Sequence, residues 1–587
     1  MHLTTRFLLA CASVALAAGA GQDWSHYVRI AGHGLRLDNV PAIIAESRAS
    51  YVFGIEVDND IPGRYESFLD PAAKLRAIRE AAVQAHAAGN KAFVYIAGLE
   101  CITAHADKTP HSFFKDHPDW VQRQINGKPA VFGGGVAFWV RPGDEDVWIS
   151  PYAPAWRSRY MQLVRRIAAT GIDGVYVDIP YWMTHFEGWE KTWASFDDYT
   201  VAAFRRETGL DARHDIRLND ISDPHFRRWI DFRIRTITDF MKEIDSNVKA
   251  ANPHCLTIAE IYPGIEEAVP RVGADVYELY QVVDAIAHEY QGPADSMAAS
   301  KSPDDWFDQM IGMFAFRAFA GRKATWMLNY SWDGEEHVRI PEAMKTMFAA
   351  QLTAGANTWD AQGHVMSGSN DLAVRTEAFA WIARHEHTFY DPREPVHPIG
   401  VYFSPQTRDY YPDEFVKAFK DTMNTILKAH REFQIVAPRT AALFHGPAVI
   451  VPDAARIAPG EIAALRSRGL PISDAEPGSG AFSALLNKAA EGNPVSVSAP
   501  PSVIAQIARV HGKLAVFLDN FKGIVAKRNA LPEPEANVEI SFDAGPGSRV
   551  HVLPFLGEEK EIPVHRRGKR LVARVPAFRR AVVVWCE

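Results

Sequence analysis

The sequence predicts an α/β protein whose largest unit is a (β/α)8 TIM barrel, followed by a small doubly wound α/β domain and a C-terminal antiparallel β-domain. Two observations predict the barrel. Short apolar runs alternate with helical patterns eight times over roughly 350 residues. Several of these runs end on an acidic residue, and in such barrels the catalytic groups lie where the strands end.

The clearest unit lies at residues 171–182 (GIDGVYVDIPYW). An Asp-Gly turn leads into an apolar run that is short enough for a buried strand. Upstream, residues 156–170 carry apolar side chains at helical spacing. The strand ends on Asp178, and the aromatic residues Tyr181 and Trp182 follow it. This order of helix, turn, strand and acid is typical of one repeat of a barrel.

The other repeats follow the same rule of alternation. Helices fit between the strands at residues 70–89 and 341–355, and residues 196–253 are mostly helical. The sixth strand has two candidate positions. In chain order the predicted strands lie at residues 51–58, 91–97, 147–150, 175–178, 256–260, either 276–280 or 284–290, 323–333 and 357–364.

Composition shifts predict the domain boundaries. A proline-rich break at residues 391–398 separates the barrel from a compact alternating unit, and from about residue 495 short strands dominate. We therefore predict a signal peptide at 1–20, the barrel at 21–390, the α/β domain at 391–494 and the β-domain at 495–587.

The N-terminus predicts export. Arg6 precedes an apolar run over residues 7–20 that ends in small residues, which is typical of a secretory signal and too short to span a membrane. A weaker lipoprotein box ends at Cys11. We expect a periplasmic or secreted protein without a membrane segment after cleavage.

Composition also limits the partners. The chain has 587 residues, 47% of them hydrophobic and 23% charged, and its net charge of −8 leaves no basic surface for nucleic acid. The scattered Cys101, Cys255 and Cys586 form neither a disulfide framework nor a zinc site, and no H-E-x-x-H spacing occurs. We therefore predict no metal and no cofactor. Aromatic residues make up 11% of the chain, and aromatic rings can stack on sugars.

The acids at the strand ends predict the chemistry. Hydrolysis of a glycoside with retention needs two carboxyl groups about 5–5.5 Å apart, and inversion needs a wider gap. Asp178 and Glu260 end the fourth and fifth strands, which are neighbours in a barrel, so they are the natural pair.

Further polar and aromatic residues near strand ends are candidates for binding the substrate. Each has a structural alternative, since an acid after a strand often caps the next helix and a buried histidine is commonly structural. The candidates are Tyr181, Trp182, His288, Glu289, Trp332, Asp333, Asp360 and His364.

Two stretches resemble known families. Residues 117–129 (HPDWVQRQINGKP) and 160–178 resemble the barrels of hypothetical-glycosyl-hydrolase-like families. Residues 398–473 resemble the trimerisation domain of trimeric β-galactosidases, a glutamine-amidotransferase-like fold without its catalytic cysteine. The pairing is similar to one group of α-L-fucosidases, in which an Asp ending strand four is the nucleophile.

The resemblance implies more than the residues alone do. The order Asp178, Glu260 and Asp333 resembles the nucleophile, acid/base and stabiliser of the α-amylase clan, which implies an α-linked substrate. The resemblance also implies a homo-oligomer, a trimer or dimer, through residues 391–494. The chain departs from trimeric β-galactosidases, which place an Asn-Glu acid/base on strand four and a Glu nucleophile on strand seven.

We therefore predict an exported retaining glycoside hydrolase that acts on a carbohydrate substrate, with Asp178 as nucleophile and Glu260 as acid/base. The alternatives are a carbohydrate-binding barrel without turnover, a β-galactosidase-like hydrolase, and a polysaccharide hydrolase or lyase that uses Tyr or His as base.

Overall fold

A closed barrel of eight parallel strands lies at the centre of the structure, a computed structural model. It describes residues 23–137, 139–266, 269–290, 298–328, 340–360 and 372–587. The barrel and the α/β class are as predicted. The barrel strands are β1 Arg29–Gly34, β2 Ile55–Asp58, β3 Ala92–Ala97, β4 Gly174–Asp178, β5 Leu256–Ile261, β6 Ala285–His288, β7 Ala324–Leu328 and β8 Asn357–Asp360.

One barrel strand was not predicted, one predicted strand position is wrong, and one open choice is settled. The barrel begins at Arg29–Gly34, a strand that the sequence analysis missed because two glycines and a histidine interrupt its apolar pattern. The predicted third strand at 147–150 belongs instead to a small sheet outside the barrel. The sixth strand lies at Ala285–His288, because Val276–Leu279 forms a helix. One strand is added before Asp178 and one is removed, so the strand count is unchanged and Asp178 still ends the fourth barrel strand.

The small sheet is inserted between β3 and β4. Its three antiparallel strands are Glu100–Thr103, Val131–Gly133 and Glu145–Trp148, with Glu145–Trp148 in the middle. It follows directly from the end of β3, so it lies beside the same end of the barrel as Asp178. We call it the inserted sheet.

Alternation along the strands decides which side chains face the barrel interior. Successive side chains of a strand point to opposite faces. The interior cluster contains Phe93, Tyr176, Ile258, Trp326 and Trp359, one large side chain each from β3, β4, β5, β7 and β8. Residues two positions further along each strand therefore face the interior as well, and residues one position further face the helices.

Helices surround the barrel and begin at well-formed caps. Ser302 and Asp305 form a reciprocal capping box, and Pro303 occupies the first helical turn. Within the described ranges, no helix is both long and apolar enough to cross a bilayer. The helices up to residue 390 are Val40–Ala49, Tyr65–Leu69, Ala72–Ala87, Phe113–Asp116, Pro154–Ala168, Asp198–Thr208, Pro224–Ala251, Val269–Val272, Val276–Leu279, Pro303–Ala320, Ile340–Ala354 and Leu372–Tyr390.

Beyond the barrel, a parallel four-stranded sheet forms the second unit. In spatial order its strands are Phe433–Val436, Ile399–Tyr402, Val449–Ile450 and Ile472–Ser473. Its helices are Pro405–Tyr410, Pro412–Lys428, Pro459–Arg466 and Gly480–Ala489.

Two antiparallel sheets follow, as the strand pattern predicts. In spatial order, the first contains Val495–Ser498, Glu539–Asp543, Arg570–Arg574 and Val564–Arg567, and the second contains Val503–Val510, Lys513–Asn520, Val582–Cys586, Val550–Pro554 and Lys560–Ile562.

The second unit holds the segment that follows β5. Lys420 Nζ lies 2.8 Å from Glu266 Oε1, and Arg408 Nη2 lies 2.9 Å from Asp275 Oδ1, with all four side chains buried. Buried ion pairs of this kind fix geometry, because breaking one leaves an uncompensated charge.

Arg233 joins the segment after β4 to the segment after β5. From helix Pro224–Ala251 its buried guanidinium donates to the carbonyl oxygens of Ala194 and Pro270, each at 2.7 Å, and also to that of Arg271. It lies 5.6 Å from the ring centroid of Trp182. One side chain therefore satisfies three carbonyl oxygens, one after β4 and two after β5.

Replacing Arg233 by Met should lower the free energy of unfolding by about 3 kcal/mol, because the buried carbonyls lose their donors. Chemical denaturation measures the change. Arg235→Met on the same helix is the matched control: Arg235 is 47% exposed and pairs with Glu207 at the surface, so the loss should stay under about 1 kcal/mol. Equal losses in the two variants would contradict this role of Arg233.

Candidate active site

Asp178 ends β4 with its carboxylate held from both sides. The backbone N–H of Ile179 donates to Oδ1 at 2.6 Å, and the Tyr95 hydroxyl donates to Oδ2. The side chain is half-buried and faces the barrel interior, two residues beyond Tyr176. A donor on each oxygen fixes the orientation of the carboxylate.

The backbone around Asp178 is strained and closely packed. Ile179 has a φ of +46°, a left-handed conformation that costs a β-branched residue on the order of 1–3 kcal/mol. Gly98 approaches so closely that a Cβ there would lie 2.8 Å from the carbonyl oxygen of Asp178. Strain of this kind is typical of functional sites, where the surroundings enforce a particular geometry.

Glu260 faces Asp178 from the neighbouring strand and is only 6% exposed. Burial, followed by the negative charges of Asp178 and Glu289, raises the pKa of Glu260 well above its ordinary value. The Asp178 carboxyl and the Tyr176 phenol are its hydrogen-bonding neighbours. The two carboxyl groups therefore lie close enough for the charge of Asp178 to raise the pKa of Glu260.

Further acids surround this pair. Glu289 is half-buried just beyond β6, and its charge acts on Glu260. On β2, Glu56 is buried; burial and the charges of Asp58 and Asp178 raise its pKa well above the ordinary value. Enclosure by the surrounding protein raises the pKa of Asp58 to about 6. The described part of the barrel mouth is therefore strongly acidic.

We call the space at the barrel mouth beside the pair, where His185 and Tyr262 lie, the cleft. His185 is solvent-exposed, yet protein surrounds it closely enough to lower its pKa, and the charge of Asp178 opposes that shift. Its ring lies 5.1 Å from that of half-buried Tyr262, two residues beyond Glu260. Exposure combined with enclosure is what a side chain lining a concave site shows.

Tyr181 and Trp182 were predicted to bind substrate, and the structure places both in the core instead. The Tyr181 hydroxyl donates to the Glu260 carbonyl oxygen at 2.6 Å, and the side chain is 1% exposed. The Trp182 indole donates to the Arg233 carbonyl at 3.0 Å and is fully buried. Neither ring has a face open to a sugar, so these two residues support the site from behind.

His288 and Asp360 were also predicted to bind substrate, and both face the surrounding helices. His288 stacks on Phe316 at 3.9 Å and is fully buried, which lowers its pKa to about 3. Asp360 is fully buried, with Oδ2 3.6 Å from Nη1 of Arg375. Each lies one position beyond an interior residue of its strand, and alternation therefore turns it away from the mouth.

Trp332, Asp333 and His364 lie outside the described residues. Of the described candidates, Asp178, Glu260 and Glu289 come together. Within the described ranges, no group of three or more His, Cys, Asp or Glu side chains is arranged to hold a metal ion.

Solved structures of other proteins share this architecture. The chain is similar to α-L-fucosidase isoenzyme 2 from Paenibacillus thiaminolyticus, with 12% identity, a TM-score of 0.65 and coverage of 95% of this chain and 99% of that chain. It is similar to a β-galactosidase from Bacillus circulans sp. alkalophilus, with 10% identity, a TM-score of 0.63 and coverage of 94% and 99%. A catalytic mutant of a GH42 β-galactosidase from G. stearothermophilus gives 10% identity, a TM-score of 0.66 and coverage of 96% and 98%.

These likenesses show a shared fold. The predicted resemblance to barrels of the fucosidase and β-galactosidase type is therefore confirmed for the fold. No protein-family model matches the chain, and no curated protein matches it significantly.

Sequence reasoning missed several residues of the site. Tyr95 and Tyr176, which contact the acid pair, lie within apolar strands and read as core residues. Glu56 was overlooked although it shares the inward face of β2 with Asp58. Strict application of the two-residue alternation would have found all three and would have excluded His288.

We expect Asp178→Asn to lower the pKa of Glu260, because the substitution removes a negative charge that opposes ionisation of Glu260. Burial is unchanged, so the value should stay above the ordinary carboxyl range. Isotope-edited infrared or NMR titration, with the Glu260 signal assigned through Glu260→Gln, measures the shift.

The matched control is Asp173→Asn, at the opposite end of the same strand, where Asp173 pairs with Lys91 at 2.8 Å. This variant should leave the Glu260 titration in place. A Glu260 pKa that does not move in Asp178→Asn would contradict the direct meeting of the two carboxyls.

Proposed function

We propose that this protein is a glycoside hydrolase that cleaves a glycosidic bond with retention of configuration. The observation that supports this most strongly is the pairing of Asp178, whose carboxylate accepts from two donors, with Glu260, whose pKa is raised by burial and by the charge of Asp178. Retaining enzymes need such a pair at short range, whereas inverting enzymes need room for a water molecule between the carboxyls.

Each residue has one role in the proposed reaction. An oxygen of Asp178 attacks the anomeric carbon while Glu260 gives its proton to the departing glycosidic oxygen, which breaks the bond and leaves a glycosyl ester on Asp178. Glu260, now ionised, takes a proton from water, and the resulting hydroxide displaces Asp178 from the anomeric carbon. The enzyme returns to its starting protonation state.

Tyr95 and Glu289 support these roles. The Tyr95 hydroxyl donates to Asp178 and directs the carboxylate toward the cleft. The pKa of Tyr95 is raised well above its ordinary value, first by burial and then by the charge of Asp178, so the phenol keeps its proton and stays a donor. Glu289 adds negative charge that keeps Glu260 protonated.

An α-linked substrate is the more specific proposal, with α-L-fucosides first and α-glucosides or α-galactosides next. It is supported by the shared fold with an α-L-fucosidase and by an Asp rather than a Glu at the end of β4. The shared fold with β-galactosidases makes β-galactosides the alternative.

Export and assembly are part of the proposal. The apolar N-terminal segment supports export to the periplasm or the medium, and the resemblance of residues 398–473 to the trimerisation domain of trimeric β-galactosidases is the ground for proposing a trimer or dimer through residues 391–494. N-terminal sequencing of the exported protein tests the cleavage of the signal, and light scattering measures the oligomeric state.

A panel of aryl α- and β-glycosides should reveal hydrolysis, and Asp178→Ala should lower kcat/KM by about 10⁴-fold or more, because no nucleophile remains. Glu260→Gln should lower kcat/KM by about 10²–10⁴-fold for substrates with a poor leaving group. It should cost much less with dinitrophenolate, which departs without protonation.

Asp173→Asn serves as the matched control and should keep its activity, because Asp173 lies at the far end of β4. Undiminished turnover by Asp178→Ala would overturn the proposed mechanism. Sugar binding by the wild-type protein without any product would favour the carbohydrate-binding alternative.

A further inference from the structure

A row of aromatic side chains runs from the inserted sheet to the acid pair. The Trp139 ring lies 6.2 Å from that of Phe186, which lies 6.4 Å from His185. His185 lies 5.1 Å from Tyr262, the residue two positions beyond Glu260. We call Trp139, Phe186, His185 and Tyr262 the aromatic wall.

Trp139 is held at the outer end of this wall by a carboxyl group. Its indole N–H donates to Glu100 Oε1 at 3.2 Å, while the ring itself is only half-buried. Phe186, the next ring of the wall, packs against Phe132, with ring centroids 4.6 Å apart. The indole is therefore fixed at its polar edge, and part of its surface stays open.

Glu100 is itself part of a buried carboxyl pair. Asp146 is its hydrogen-bonding neighbour and accepts from the Trp148 indole at 3.3 Å. Burial and the charge of Asp178 raise the pKa of Glu100 to about 7. Glu100 lies three residues beyond Ala97, the last residue of β3, and accepts from Trp139, so Trp139 lies at the same end of the barrel as Asp178.

These features match a sugar ring as occupant. The weakly positive C–H face of a pyranose packs on the negative face of an indole, and its hydroxyls bond to neighbouring carboxyl groups. A fixed ring loses little conformational entropy on binding. A partner protein would instead need a much larger interface.

We propose that Trp139, positioned by Glu100, stacks on a pyranose ring of the substrate beside the Asp178–Glu260 pair. The inference rests on the proposed function and names a binding residue for that site. The ring belongs either to the sugar that is transferred or to the sugar that departs, and the experiment separates these two.

The test compares Trp139→Ala, Trp139→Phe and Trp120→Ala with the wild-type enzyme. Trp120 is a half-buried tryptophan on the same insertion that stacks on His117 at 3.7 Å, so it is the matched control. The substrates are a disaccharide and a glycosyl fluoride of the sugar that the wild-type enzyme hydrolyses.

Trp139→Ala should lower kcat/KM by about tenfold or more, as loss of a buried aromatic contact does, while Trp139→Phe keeps most of it. Trp120→Ala should stay within about twofold of the wild-type value. A loss with the disaccharide alone assigns the ring to the departing sugar, and a loss with both substrates assigns it to the transferred sugar. An unchanged kcat/KM with both substrates would overturn the proposal.

A binding measurement separates this proposal from the proposed hydrolysis. Calorimetry with free fucose, galactose and glucose should show weaker binding by Trp139→Ala than by the wild-type protein, even if the wild-type protein hydrolyses no glycoside. Equal binding by the two proteins, or no binding of any of these sugars to the wild-type protein, would argue against the stacking role.

Discussion

Repulsion between two carboxyl groups is the constraint on which the candidate site depends. β4 and β5 are neighbours, so their ends bring Asp178 and Glu260 together in a buried space where both cannot be ionised without a large cost. Asp178 has a donor on each oxygen, and burial together with the charge of Asp178 raises the pKa of Glu260 well above its ordinary value. The folded chain therefore holds the Glu260 proton more tightly than the unfolded chain, and this group's contribution to stability falls as the pH rises from the ordinary carboxyl range through the raised pKa.

Residues that do not touch the cleft hold this arrangement in place. Tyr95 and the Ile179 N–H fix one carboxylate, and Tyr181 braces the backbone that carries the other. Arg233 ties the loops after β4 and β5 together, and Lys420 reaches from the second unit to Glu266. These contacts explain why aromatic and charged residues beside strand ends can have a structural role. Two carboxyl groups repel each other, so the surrounding residues must hold them in place.

The sequence predicted the barrel and the acid pair because both follow from local patterns, namely alternating apolar runs and acids at or near the ends of several strands. Prediction from the sequence failed where the apolar periodicity was interrupted and where the position of a residue depends on tertiary folding. The glycines of Arg29–Gly34 hid a strand, and Val147–Ser150 looked like a barrel strand although it pairs within the inserted sheet. Tyr181 and Trp182 follow the end of β4, where the strand alternation stops and therefore no longer indicates which way a side chain points. Trp139 joins the site only through folding of a long insertion, which no spacing in the sequence reveals.

The central claim is that Asp178 becomes covalently bound to the sugar while Glu260 moves the proton. The measurement that tests it most directly is mass spectrometry of the enzyme after reaction with a slow, fluorinated glycosyl fluoride of its substrate sugar. The account predicts a mass increase of one fluoroglycosyl group, located by peptide mapping on the peptide that contains Asp178. An adduct on another residue, or turnover with an inverted product and no adduct, would contradict it.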